Sequence, residues 1–328
     1  MPRWALIAFL GVAAVVALGG FRMFQGGPAT TQERDAFAQD RDPQAPLPIA
    51  FDADRAMKYL NDICDIGPRI SGTEGIKKQQ KYIKKHFDSL RLPVEFQRFT
   101  AQQVSKRQPV EMANIIVSWH PEKIRHVVLC SHYDTRPIAD QEPDQHRWRE
   151  PFISANDGGS GVALIMELAN HLDKLKPQVG VDLVLFDGEE YIFEPTRDKY
   201  FFGSEHFAKL YKQDKPIQRT VAAVLLDMIA GRRIQFPVEQ NSWQNAASLV
   251  QEIWTIASEQ GCPAFQNRFG YTVSDDHLAL NRAGIPSVDI IDFDYPHWHR
   301  LTDVPANCSA DSMRQVAKVL AVWLQRVK

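Results

Sequence analysis

From Phe51 onward the apolar positions follow two alternating rhythms, one with the period of a helix face and one of short unbroken runs. Asp52 stands where a helix N-cap belongs, ahead of Ala56, Met57, Leu60 and Ile63, which are spaced as one helical face. After the loop Gly67-Pro68-Arg69-Ile70-Ser71-Gly72-Thr73, a second amphipathic stretch predicts a helix over about 74–90. Apolar runs predict strands at 93–99, 113–119 and 126–131. Val162, Ile165, Met166, Leu168, Ala169 and Leu172 mark a helix over about 161–175. The rest of the chain reads as strand 181–186, helix 204–211, strand 221–226, helix 243–259, strand 287–291 and helix 310–325. Continuous apolar strands alternating with helices predict an α/β three-layer sandwich, a mostly parallel mixed central sheet with helices on both faces. There is no internal repeat and no natural split, so residues 51–328 are expected to form one domain.

The first fifty residues follow neither rhythm. Trp4 to Phe21 carries no charge over 18 residues and is flanked by Arg3 and Arg22. Its length lies between a signal h-region and a transmembrane helix, so residues 1–24 read as an export signal or a membrane anchor. The folded part is then expected outside the cytoplasm: periplasmic, secreted, or held at a membrane through residues 4–21. Residues 25–50, rich in Gly, Pro, Gln, Thr and Asp, read as a flexible linker.

Composition removes some alternatives. The chain has 328 residues, with 38 basic against 40 acidic side chains, and this near-neutral balance gives no support to nucleic-acid binding. Cys64, Cys130, Cys262 and Cys308 lie far apart with no C-x-x-C spacing, which argues against a zinc ribbon or redox motif. Cys130 falls in a core strand as a small hydrophobe, and no disulfide is assigned.

Candidate chemistry gathers where the strands end. In a parallel sheet functional groups collect beyond the carboxyl ends. His132 and Asp134 follow one strand, Glu189-Glu190 another, and Asp227 a third. Asp157 lies in the turn Asn156-Asp157-Gly158-Gly159-Ser160-Gly161, and His299 closes Tyr295-Pro296-His297-Trp298-His299. Each alone has an ordinary explanation as a cap, a turn former or a loop side chain. Together they are a hard-to-borderline donor set suited to zinc.

The order His132-x-Asp134, Asp157, Glu189-Glu190, Asp227, His299 resembles the M28 zinc peptidase superfamily, from about Phe51 to the C-terminus. In its di-zinc aminopeptidases the resemblance implies His132, Asp157 as bridge, Glu190, Asp227 and His299 as ligands, with Glu189 as general base. Three details look instead like the animal-type glutaminyl cyclases. Twelve residues, Tyr191 to Phe202, separate Glu190 from Gly203-Ser204; Ser274-Asp275-Asp276-His277 carries a doubled Asp; and Trp298-His299 precedes Thr302-Asp303. That resemblance implies a zinc-dependent catalytic domain converting N-terminal glutamine of peptides or proteins to pyroglutamate with release of ammonia. It implies one zinc on Asp157, Glu190 and His299, with a second available through His132 and Asp227. Glu189 is then the acid/base, Asp227 and Asp275 its hydrogen-bond network, and Trp298 and Tyr295 the substrate contacts. Asp134 is expected to orient His132. The pocket wall departs from the cyclase pattern, because Pro195 stands near the place of a second tryptophan and Phe193 is the nearest aromatic. A monomer acting on peptide N-termini is expected.

Overall fold

The computed structural model describes residues 51–214 and 219–328. Helix α1 (Ala53–Cys64) starts at Asp52, whose side chain accepts the Arg55 N–H at 2.9 Å. Helix α2 (Glu74–Ser89) leads to the antiparallel pair β1 (Val94–Ala101) and β2 (Val110–Trp119). Then come β3 (Arg125–His132), α3 (Ser160–Ala169), α4 (Leu172–Leu175), β4 (Gly180–Phe186) and α5 (Phe202–Asp214). The chain closes with β5 (Arg219–Asp227), β6 (Phe236–Val238), α6 (Gln240–Glu259), β7 (Phe265–Phe269), α7 (His277–Arg282), β8 (Ser287–Ile291) and α8 (Ala310–Arg326).

The main sheet has the order β1-β2-β4-β3-β5-β8. β4, β3, β5 and β8 are mutually parallel, and the hairpin β1-β2 joins antiparallel through β2 and β4. Successive side chains of a strand point to opposite faces, and the core divides accordingly. Val127, Leu129, Val181, Leu183, Leu185, Val224 and Leu226 enter the larger cluster with α1, α3, α6 and α8. Val128, Cys130, Val184, Phe186, Ala223 and Leu225 enter the smaller one, against α5 and α7. The expected three layers are therefore present.

Differences from the sequence reading are local. The helix expected over 161–175 is two: Asn170 Nδ2 donates to the Met166 and Glu167 carbonyls, which competes with the main-chain ladder and ends α3. β6 and β7 form a separate two-stranded parallel sheet. Those strands and the six-residue α7 are too short to show periodicity. All four cysteines are buried and free. The segments 1–24 and 25–50 lie outside the described residues. Among the described residues no helix is long and apolar enough to cross a membrane.

Candidate active site

Because β3, β4, β5 and β8 run parallel, their carboxyl ends share one edge of the sheet. His132 and Asp227 are the last residues of β3 and β5, and Glu189-Glu190 follow β4. Asp157 is carried by the turn before α3, and His299 by the loop after β8. Asp157 faces two imidazoles: His132 Nε2 lies 3.1 Å from its Oδ1 and His299 Nε2 lies 3.5 Å from its Oδ2. His132 Nε2 is also 3.3 Å from Asp227 Oδ1, and His299 Nε2 is 3.2 Å from Glu190 Oε1. Two half-sites thus share one carboxylate.

The Asp157 turn is held from several directions. Asp303 accepts the N–H groups of Asn156 and Asp157 at 2.9 and 3.1 Å. Buried Arg69 donates to the carbonyls of Ile153 and Ser154. Gly158 has φ +79°, and a Cβ there would stand 2.6 Å from the His132 ring, so the close approach requires glycine. Ser154, Phe201, Met228 and His299 also adopt positive φ. Such strain persists only where the surroundings over-determine it, and four of the seven positive-φ non-glycine residues among those described lie around this site.

The structure moves Tyr295 away from substrate, adds to the role of Asp134 and recentres the Asp227 network. Tyr295 does not line the cavity: its hydroxyl donates to Asp303 at 2.9 Å, behind the Asp157 turn, and so braces that turn. Asp134 does more than face His132, whose Nδ1 is 3.7 Å away. It accepts the backbone N–H groups of Glu189 and Glu190 at 3.2 and 3.1 Å, and so pins the carboxylate pair. The expected network also has a different centre, since Asp227 pairs with His132. Asp275 accepts the N–H of Asp276 at 2.6 Å while lining the cavity.

The adjacent glutamates sit in opposite fields. Burial, followed by the neighbouring Glu190 charge, pushes the Glu189 pKa well above the usual carboxylate range. Burial acts on Glu190 too, but Arg136 and His299 outweigh it and hold its pKa far below that range. Burial lowers the pKa of His299, whereas Glu190 and Asp140 beside it raise it to about 9. Arg136 is 1 % exposed and was not singled out from sequence. The signal was there, a charged pair Arg136 and Asp140 within an otherwise apolar stretch directly after His132-x-Asp134.

A cavity of about 480 Å³ opens over these groups. Glu189, Glu190, Asp157, Asp227, Asp275 and His299 line its floor, and Val273, Ile291, Phe293 and Trp298 one wall. The other wall comes from the segment 191–202 through Pro195, Thr196, Tyr200 and Phe201. Phe193 points elsewhere, into a cluster with Tyr191. This segment is stapled to the connection between β1 and β2. Gln103 Nε2 donates to the Tyr191 and Lys199 carbonyls, and Asp198 accepts the Ser105 hydroxyl and the N–H groups of Phe193 and Glu194.

The donor set fits a cation. Asp157 Oδ2 and His299 Nε2 are buried without a hydrogen-bond partner. Donor atoms of His132, Asp157 and Asp227 all lie within 4.8 Å of one another. Carboxylate and imidazole donors in that arrangement suit zinc.

The sequence profile of peptidase family M28 matches residues 114–324, which spans the groups that line the cavity but not Arg69, Gln103 or Ser105. The chain belongs to peptidase family M28. Within that family it is similar to the glutaminyl cyclases. The Fimbriiglobus ruber glutaminyl cyclase structure is 48 % identical, with a TM-score of 0.85 over 89 % of this chain and 100 % of that one. A Zn-dependent exopeptidase structure from Parabacteroides distasonis is 28 % identical, with a TM-score of 0.79 over 85 % of this chain and 99 % of that one. The mouse glutaminyl-peptide cyclotransferase-like protein is 27 % identical over 281 residues, covering 78 % of this chain and 71 % of its own length. The zinc exopeptidase shares the scaffold whose strand ends carry His132, Glu189, Glu190 and Asp227 here.

Proposed function

We infer that the protein is a zinc-dependent glutaminyl-peptide cyclotransferase, which closes the N-terminal glutamine of a peptide into pyroglutamate and releases ammonia. The observation that carries this reading is the split pair Glu189 and Glu190 beneath a cavity walled by the stapled 191–202 segment. The 48 % identity to a glutaminyl cyclase supports it. Asp157, Glu190 and His299 would hold zinc. Zinc bound there supplies Lewis acidity toward the side-chain carbonyl oxygen of the substrate glutamine.

The chain's own groups supply the rest. An α-amino group has a pKa of about 7.7–8.0, so a useful neutral fraction exists near pH 7 without an activating hydroxide. Nucleophile and electrophile belong to one residue, and holding them together draws on effective molarities of roughly 10⁵–10⁸ M. The Glu189 carboxylate, made more basic by its raised pKa, is suited to taking the amine proton and, as the carboxylic acid, passing it to the departing ammonia. Trp298, Phe293, Tyr200 and Phe201 exclude water, which would otherwise divert the reaction toward deamidation. Residues 4–21 export the chain in this reading, and cell fractionation of the full-length protein checks that placement.

A second reading, a di-zinc aminopeptidase, is favoured by one observation: His132, Asp157 and Asp227 offer a second set of donors. Incubation with a Gln-initiated and a Leu-initiated peptide, read by mass, separates the two. Loss of ammonia from the first alone supports cyclisation; release of leucine from the second overturns it.

A further inference from the structure

We propose that Arg136 is a positioning residue that sets two zinc ligands at once, Glu190 directly and His299 through Asp140. This rests on the placement of zinc at Asp157, Glu190 and His299 given above. The guanidinium sends different nitrogens to different partners. Nη1 donates to Glu190 Oε2 at 2.6 Å. Nη2 donates to Asp140 Oδ2 at 3.0 Å and to the Tyr200 hydroxyl at 3.1 Å. The other oxygen of Asp140 lies 2.9 Å from His299 Nδ1. One planar fork therefore spans both ligands.

The consequence for Glu190 is a choice of oxygen. Oε2 is taken by Arg136, leaving Oε1, which lies 3.2 Å from His299 Nε2. For His299 the consequence is a choice of nitrogen. The Asp140 carboxylate stands 2.9 Å from Nδ1 and occupies that side of the ring, which leaves Nε2 to face Asp157 and Glu190. A lysine has no fork, and from this position its single ammonium cannot reproduce three directed bonds. Tyr200, the third partner, belongs to the cavity wall, so the same guanidinium ties the metal ligands to the substrate pocket.

A purely structural role for Arg136 makes a different prediction. Burying a charge and its partners only to hold the fold together is a poor use of the interior, because well-packed apolar residues serve as well or better. A role limited to charge cancellation predicts the opposite sign, since removing a cation beside a ligand carboxylate would tighten zinc. Positioning predicts that zinc is held more weakly.

The test measures zinc affinity of the full chain by chelator competition for wild type, Arg136→Met, Arg136→Lys and Asp140→Asn. Each variant is expected to bind zinc about 10–100-fold more weakly, the loss usual for a group that orients a ligand. The double variant Arg136→Met with Asp140→Asn should lose less than the sum of the two, because the effect on His299 passes through the Arg136–Asp140 pair in both. Wild-type or tighter affinity in Arg136→Met, or full recovery in Arg136→Lys, overturns the proposal. If Arg136→Met does not fold, Arg136→Lys and Asp140→Asn decide it alone. Wild-type assay on a Gln-initiated peptide keeps the two claims apart. Failure to cyclise removes the assigned reaction, whereas cyclisation with unchanged zinc affinity in the variants removes only the role of Arg136.

Discussion

Glu189 and Glu190 differ by one position and end in opposite protonation preferences, because Glu190 lies beside Arg136 and His299 and Glu189 in a buried, acid-rich surrounding. Their roles should separate under mutation. Glu189→Gln is expected to lower kcat by about 10²–10⁴-fold while zinc content stays at the wild-type level; elemental analysis beside a turnover assay checks both halves. At this scale the residues carried by strand ends were legible, because a parallel sheet gathers them wherever its helices go. Arg136 and Tyr295 were not. The local pair Arg136 and Asp140 hinted at one bond, but the Glu190 partner of Arg136 lies 54 positions away and the partner of Tyr295 is a turn-supporting carboxylate, and no local pattern encodes those two pairings.

Between elements, the segment 191–202 stands out, since it brings Pro195, Thr196, Tyr200 and Phe201 to the cavity. Its length was readable, but its path was not, since Asp198 and Gln103 fix it through bonds to a distant hairpin. Phe193 was the aromatic nearest in sequence to the expected wall, yet Tyr200 and Phe201 reach the cavity. Asp198→Ala removes four hydrogen bonds to Ser105, Phe193 and Glu194. It is expected to raise KM for Gln-initiated peptides on the order of tenfold through misplaced walls. Steady-state kinetics with metal analysis checks this, and zinc stoichiometry should not change. The broken 161–175 helix shows a related limit. Asn170 follows the apolar spacing without interrupting it, and only its side-chain bonds to the preceding carbonyls end α3.

For the whole molecule, alternation of apolar strands and helices was enough to predict the layers, because each layer must bury its apolar face. The small β6-β7 sheet escaped because its strands carry too few residues to form a pattern. Two predictions belong at this scale. Removing zinc leaves mutually repelling buried carboxylates, so chelation should lower Tm and zinc should restore it. Zinc at about 100 times its Kd contributes about 2.7 kcal/mol, or roughly 5–10 °C for a chain approaching this size; calorimetry with and without chelator measures it. The second concerns Asp292, which is 4 % exposed and whose pKa is pushed up to about 7 by burial and then by Asp294. A raised folded pKa means that its contribution is complete below about pH 4, the unfolded value. It is then lost as pH rises through 7. Asp292→Asn lacks that slope, so its Tm relative to wild type should climb between pH 4 and pH 7.5.

The staple between the hairpin and the pocket wall has a consequence for how the sheet can fail. β1 is an edge strand, bonded only to β2 in its sheet. A slip of one residue would turn each of its side chains to the opposite face. Gln103 and Ser105, at the hairpin tip, cannot follow such a slip without releasing Lys199 and Asp198. The wall of the pocket is thus a register pin for this edge strand. Variants that loosen it would free an edge able to recruit a second chain, so self-association and weakened substrate capture should arise together.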